Sequence, residues 1–329
     1  MQVGPCFFSE KVEAFMRIET ADRLKGLCIL LMIVGHCFIP DALHDAIYLF
    51  HIPMFFFIAG FFFKPAPIGK RLRSDARRLL VPYFVCILLV ALKYGIDSLR
   101  LGSADDLLHF IVSSLVVGPD IDFMGWTNLA IGPVWFLFSL FWCRTILNLL
   151  LRVRYGIWIS MLIGIGACLV GPRIHLPFGL LQGMAGLFFA GAGHVAAMHK
   201  ETFQKRSLVP IAVACTLPAV FIPSMDMHPG IYPYYVLNLV VSLAACSLLW
   251  NLLYVVESSS FKVLSFLSWA GRFSLLVLMV HYFEFMTFYW YEKFSFLPAF
   301  AIVIVRVCAV LAVSFGLSKV PFIRKFCIL

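Results

Sequence analysis

The chain has 329 residues, 62% of them hydrophobic and 13% charged, with a mean hydropathy of +0.96. A water-soluble domain needs about a quarter charged residues to cover its surface, so this composition excludes one and turns most of the surface towards lipid. The net charge of +9 would suit a nucleic acid, but Lys and Arg in a membrane protein first encode orientation.

The residues before the first apolar run include Glu10, Lys11, Glu13 and Arg17, and no small-residue cleavage site follows it. That run is therefore expected to be a permanent helix and not a signal peptide. Stretches long enough to cross the hydrocarbon fall near 26–43, 46–63, 79–97, 133–151, 156–171, 176–198, 207–223, 231–256, 270–290 and 296–317. The fold class read from them is all-α, a polytopic membrane bundle of about ten transmembrane helices, with 1–329 as one transmembrane domain. Residues 1–25 are expected to form a cytoplasmic N-terminal segment. The stretch 105–117 is too short to span and reads as an interfacial or re-entrant helix within an outer segment, 98–132.

The basic residues test this layout. With the N-terminus inside, the inner segments hold 19 of the 26 Lys and Arg, including Lys25 and the cluster from Lys64 to Arg78. The outer segments hold only Arg100, Arg173 and Lys293. Such an asymmetry predicts an N-in, C-in orientation and leaves no charge that needs a nucleic-acid partner. The ten cysteines are scattered without a CxxC pair, so no metal or disulfide framework is expected. No internal repeat is visible, which weighs mildly against a secondary transporter.

Ionisable groups inside apolar spans are costly and so mark candidate function. Lys25 and His36 are eleven positions apart, which returns to nearly the same helix face about 16 Å along the axis. Asp22, Ile29, Met32 and Ile33 share that stripe, and Gly35 adjoins the histidine. Taken singly, Lys25 reads as a snorkelling cation and His36 as a satisfied bundle residue. Together they place a cation at the inner mouth and an imidazole towards the outside. A neutral imidazole is a competent general base, and a hydroxyl attacking an acyl thioester requires one. Arg73, Arg77 and Arg78 serve as a topology signal, and also suit an anionic ligand such as a phosphorylated coenzyme.

Further along, His51 precedes Pro53 and is placed to approach His36 across a short hairpin. Arg272 is expected near the inner end of the ninth span, with His281 and Glu284 inside it. The last two are three apart on one face, and read equally well as a proton relay or as a structural bond. Lys93 and Arg144 lie near helix ends, where snorkelling accounts for them. Arg306, in the middle of the last span, needs a partner, and Asp97 and Glu284 are the candidates.

The segment RIETADRLKGLCILLMIVGH, followed by YLFHIPMFFFIAGFFFK, resembles the opening of the membrane acyltransferase-3 family, and within it the branch described as fucose 4-O-acetylase-like. Lys25, ten residues and His36 match the family signature of Arg or Lys, ten residues and His. Ala59-Gly60 stands where the family has a Ser-Gly turn. Arg77-Arg78 runs into Pro82-Tyr83 as the family's arginine-rich loop does. Val134-Trp135-Phe136-Leu137, and Gly271-Arg272 through His281, match more loosely.

The resemblance implies a stand-alone ten-helix O-acyltransferase, most often an O-acetyltransferase, of the cell (inner) membrane. Its acyl donor would be cytoplasmic acetyl-CoA, without a metal. Its partner would be a glycan or lipid-linked sugar acceptor at the outer face, and a homo-oligomer is compatible with it. Carried over, His36 would be catalytic, Lys25 would line the donor path, and Arg73, Arg77 and Arg78 would hold the donor's phosphates. His51, Trp135, Arg272, His281 and Glu284 are the candidate substrate or relay residues beside these. The resemblance leaves open acetyl against succinyl, and direct attack against an acyl-histidine. From the residues alone the rival is a proton-coupled transporter or flippase that uses the buried His, Glu and Arg groups.

Overall fold

The computed structural model describes residues 19–116, 121–123, 126–129, 131–171, 173–174, 176–205, 208–256 and 261–327. In chain order the helices are α1 (Glu19–Gly35), α2 (Asp41–Tyr48), α3 (His51–Phe61), α4 (Ile68–Asp75), α5 (Val81–Leu101), α6 (Asp105–Val116), α7 (Trp135–Leu150), α8 (Gly156–Val170) and α9 (Leu180–Met198). They continue as α10 (Lys200–Phe203), α11 (Val209–Thr216), α12 (Val236–Val255), α13 (Lys262–Arg272), α14 (Ser274–Thr287), α15 (Trp290–Lys293), α16 (Ala299–Ser318) and α17 (Pro321–Cys327). A small antiparallel hairpin, β1 (Ile121–Phe123) with β2 (Trp126–Leu129), follows α6 and was no part of the sequence expectation. Most of the expected N-terminal segment lies outside the described residues.

Among the described residues six helical stretches are long and apolar enough to cross a bilayer, or seven if the bent pair α13–α14 is one span. α1 has 17 residues and α8 has 15, so each falls short of the roughly twenty that span alone. Three expected spans are broken. The first stops at Gly35 and resumes at Asp41, and Pro40 disfavours helix at Ile39 between them. The seventh passes from α11 into a 3-10 turn, Leu217–Val220, at Pro218. The ninth is bent by 75° between Arg272 and Ser274.

With lipid outside, close packing and not water exclusion holds helices together, and small residues permit it. A Cβ on Gly271 would lie 1.7 Å from the Asp22 carbonyl oxygen, and one on Gly26 would lie 2.0 Å from that of Leu267. α1 and α13 therefore touch backbone to backbone. Gly60 and Gly193 seat α3 on α9 in the same way, against Ala190 and Phe57. The phenylalanines of α3 fill the centre, where Phe57 and Phe61 pack on the buried Trp250 of α12 at 5.8 and 4.5 Å. Leu88, Leu92 and Leu99 of α5 point outward, as a lipid-facing surface requires.

Candidate active site

A cavity of about 670 Å³ runs beside α1 and is bounded by α1, α3, α7, α14 and the π-helical turn Ala76–Leu80. Lys25, Arg78 and Arg144 line its basic end, and His36, His51, Trp135, Asp226 and His228 line the other. The two ends are separated by the rise of α1 from Lys25 to His36, about 16 Å. Lys25 and His36 both line this cavity.

At the basic end Lys25 pairs with Asp22 at 2.8 Å. Arg144 makes two hydrogen bonds of 3.1 Å to the buried Asp75, and so is fixed in the cavity wall and not snorkelling. Arg78 is carried on the π turn, a distortion that re-aims side chains and recurs at functional sites. Arg77 on the same π turn, and Arg73 on α4 before it, are exposed and do not line the cavity.

His36 is half-buried in the turn just past Gly35, one residue beyond the helix in which it was expected. Its ring stacks on that of His281 at 5.5 Å and lies 5.2 Å from Phe285. Nδ1 of the fully buried His281 meets Glu284 Oε1 at 2.6 Å. A neutral His281 thus donates from Nδ1 and keeps its lone pair on Nε2, which has no hydrogen-bond partner among the described residues. Glu284 also accepts from Arg306 Nε, at 3.0 and 3.2 Å, and from Trp290 Nε1. Arg306 Nη1 donates to the carbonyl oxygen of His36 at 2.6 Å. Of the two partners expected for Arg306, Glu284 is the one found; Asp97 pairs with Lys93 at 2.7 Å.

His51 lies across the cavity from these groups, its Nδ1 held by the Ile47 carbonyl at 2.8 Å. Trp135 stacks on His228 at 5.1 Å, and the Asp226 carboxylate accepts the His228 backbone N–H at 3.0 Å. Burial pushes the Asp226 carboxyl above its ordinary value. Arg272 does not join the site. The 75° bend leaves it exposed at the end of α13, bonded to the Ser268 carbonyl.

Sequence reading passed over Tyr48, Asp226, His228, Phe285 and Trp290 as site residues. The Asp-Met-His of the 224–230 loop was a usable signal, two polar groups in an otherwise apolar stretch. The aromatic residues carried none, among 34 phenylalanines, eleven tyrosines and seven tryptophans. Among the described residues no three His, Cys, Asp or Glu side chains converge as a metal would need.

A multi-pass helical bundle enclosing a largely apolar cavity, with cations at one end and imidazoles at the other, defines a membrane protein with an internal site. The family model described as "Acyltransferase domain" matches residues 18–319, nearly the whole chain, so the chain belongs to the acyltransferase-3 family and is a multi-pass membrane acyltransferase. Nothing matches among curated proteins, and nothing matches among solved structures.

Proposed function

We propose that this acyltransferase moves an acetyl group from cytoplasmic acetyl-CoA to a hydroxyl of a saccharide or lipid-linked glycan at the outer face of the cell membrane, with His36 as the base. The observation that carries this reading is the single cavity reaching from Lys25, Arg78 and Arg144 to His36. Guanidinium groups match phosphate geometry and suit the nucleotide end of the donor. Arg73 and Arg77, exposed beside that mouth, extend the same field. The apolar wall between the ends, with Ile29, Met32 and Leu278, suits a thin neutral arm carrying the thioester inward.

At the far end His36 takes the acceptor's hydroxyl proton as the oxygen attacks the thioester carbonyl. The carbon–sulfur bond then breaks, and the imidazolium returns the proton to the departing thiolate. The stack on His281, and the Arg306 bond to the His36 carbonyl, favour one ring position and so lower the entropic cost of attack. The positive-inside asymmetry supports the direction from cytoplasm to outer face.

The test is transfer from radiolabelled acetyl-CoA to membrane glycan. His36→Ala is expected to abolish it while the protein remains inserted and folded. Retained transfer overturns the assignment.

A further inference from the structure

His36 borders a second space. A separate cleft of about 370 Å³, lined by Phe38, Phe288, Tyr289, Trp290, Tyr291 and Glu292, also reaches His36, and Arg306 and Cys37 complete the wall. His36 and Phe285 are the residues common to this cleft and the long cavity. We infer that the cleft is the acceptor site, that it takes an uncharged saccharide, and that Phe285 with His36 is the partition between acceptor and donor. The inference rests on the acyl-transfer reading and gives the acceptor its route within it.

The first reason is steric. A donor arm lying along the long cavity fills the approach to His36 from the basic end, so the nucleophile has to reach the same imidazole from another side. The cleft supplies that side, within the size range of small-molecule sites. The second reason is chemical. Ring faces pack against the C–H faces of a sugar, while the Glu292 carboxylate and the Tyr289 hydroxyl bond to its hydroxyl groups. The guanidinium of Arg306 is already engaged by Glu284 and the His36 carbonyl. That leaves no uncommitted Lys or Arg among the described residues of the cleft wall for an anionic acceptor.

The third reason is that the cleft is built rather than incidental. The Phe38 N–H donates to the Tyr291 hydroxyl at 2.7 Å, with the two rings 4.2 Å apart. Trp290 bonds to Glu284, so α15 hangs from the same carboxylate that orients His281. An aromatic belt at the lipid interface, the other use of such residues, needs no passage to a histidine.

The experiment supplies radiolabelled acetyl-CoA to native membranes carrying the full chain, and counts label in glycan, in lipid and in free acetate. All variants are compared at equal amounts of the full chain in the membranes. Tyr289→Ala and Glu292→Gln are each expected to lower glycan label about tenfold, with the half-saturating acetyl-CoA concentration moving less than about twofold. Tyr289→Phe, which keeps the ring, is expected to retain more label than Tyr289→Ala. Phe285→Ala removes the partition, admits water to the thioester, and is expected to shift label from glycan to free acetate. Glycan label within twofold of the parent for both cleft variants would overturn the inference, as would label that goes to a sugar-free lipid. If His36→Ala abolishes transfer while the cleft variants do not affect it, acyl transfer stands and only the cleft falls. If His36→Ala keeps transfer, the reading beneath both fails.

Discussion

Arg306 holds the carbonyl oxygen of His36 at 2.6 Å while the rest of its guanidinium grips Glu284 at 3.0 and 3.2 Å. The last long helix is thereby tied to the turn that ends the first, and both to α14. A lysine keeps the charge but has no planar fork to serve two acceptors at once. Arg306→Lys is expected to lower kcat by about a hundredfold while the donor KM changes little, because the loss falls on the placing of His36. Arg306→Gln leaves the Glu284 carboxylate without its cation but still bonded to His281 and Trp290, so the stability loss is expected to stay below the roughly 3–5 kcal/mol of a fully stranded buried charge. Steady-state kinetics and thermal unfolding in detergent separate the two. A donor KM that rises in step with the fall in kcat would refute the positioning role.

Glu284 fixes which nitrogen of His281 carries the proton. Glu284→Gln can offer its amide N–H to the same nitrogen, which turns the ring over to the other tautomer. Because His281 stacks on His36 and lines neither cavity, it acts through His36 and is a positioning residue. Glu284→Gln is expected to lower kcat by ten- to a hundredfold and to alter the pH profile of kcat, not merely its height. A profile of unchanged shape would mean a purely structural carboxylate.

The α1–α13 contact has no room for a methyl group, since a Cβ at Gly271 meets the Asp22 carbonyl at 1.7 Å. Gly271→Ala must part the two helices, displacing Asp22 and with it the Lys25 end of the cavity. A loss of about 1–3 kcal/mol is expected, together with a raised donor KM. Gly316 on α16 has nothing within 4 Å of its would-be Cβ, so Gly316→Ala is expected to be neutral or slightly stabilising. Equal thermal midpoints for the two variants would contradict the packing account.

Asp75 is 1% exposed and depends on Arg144, with Arg71 standing off at 3.6 Å. Arg144→Gln leaves Arg71 as the remaining counter-charge, so the stability loss is expected to stay below the roughly 3–5 kcal/mol of a fully stranded buried carboxylate. The same change thins the positive field at the donor mouth. The donor KM is expected to rise about tenfold at low salt, and the difference from the parent to narrow as salt screens the field. Unchanged donor KM values would remove Arg144 from the donor path.

Much of this was legible in one dimension. Composition alone required lipid outside, and the spacing of Lys25 and His36 put them on one stripe, because an α-helix has a fixed pitch and a fixed rise. The i, i+3 spacing of His281 and Glu284 foretold their contact for the same reason. The broken first span was harder to see, since Pro40 sits inside an otherwise continuous apolar run. Arg144 was misjudged as a snorkelling residue because its partner, Asp75, is 69 positions away. Arg272 was overvalued because nothing local announces a 75° bend at Phe273.

What the sequence determined by itself is what depends on near neighbours: a membrane bundle, a cation and an imidazole on one helix, and a basic segment after the second apolar stretch. What only the tertiary structure decided is convergence. Arg306 reaches His36 across 270 positions, and His228 reaches Trp135 in an adjoining wall. His36 stands between two cavities because α1 ends one residue before it, where the backbone is free to turn. Periodicity reports which residues share a face of one helix. Which faces meet is settled by packing among helices, where a glycine against a carbonyl sets a separation that no local pattern encodes.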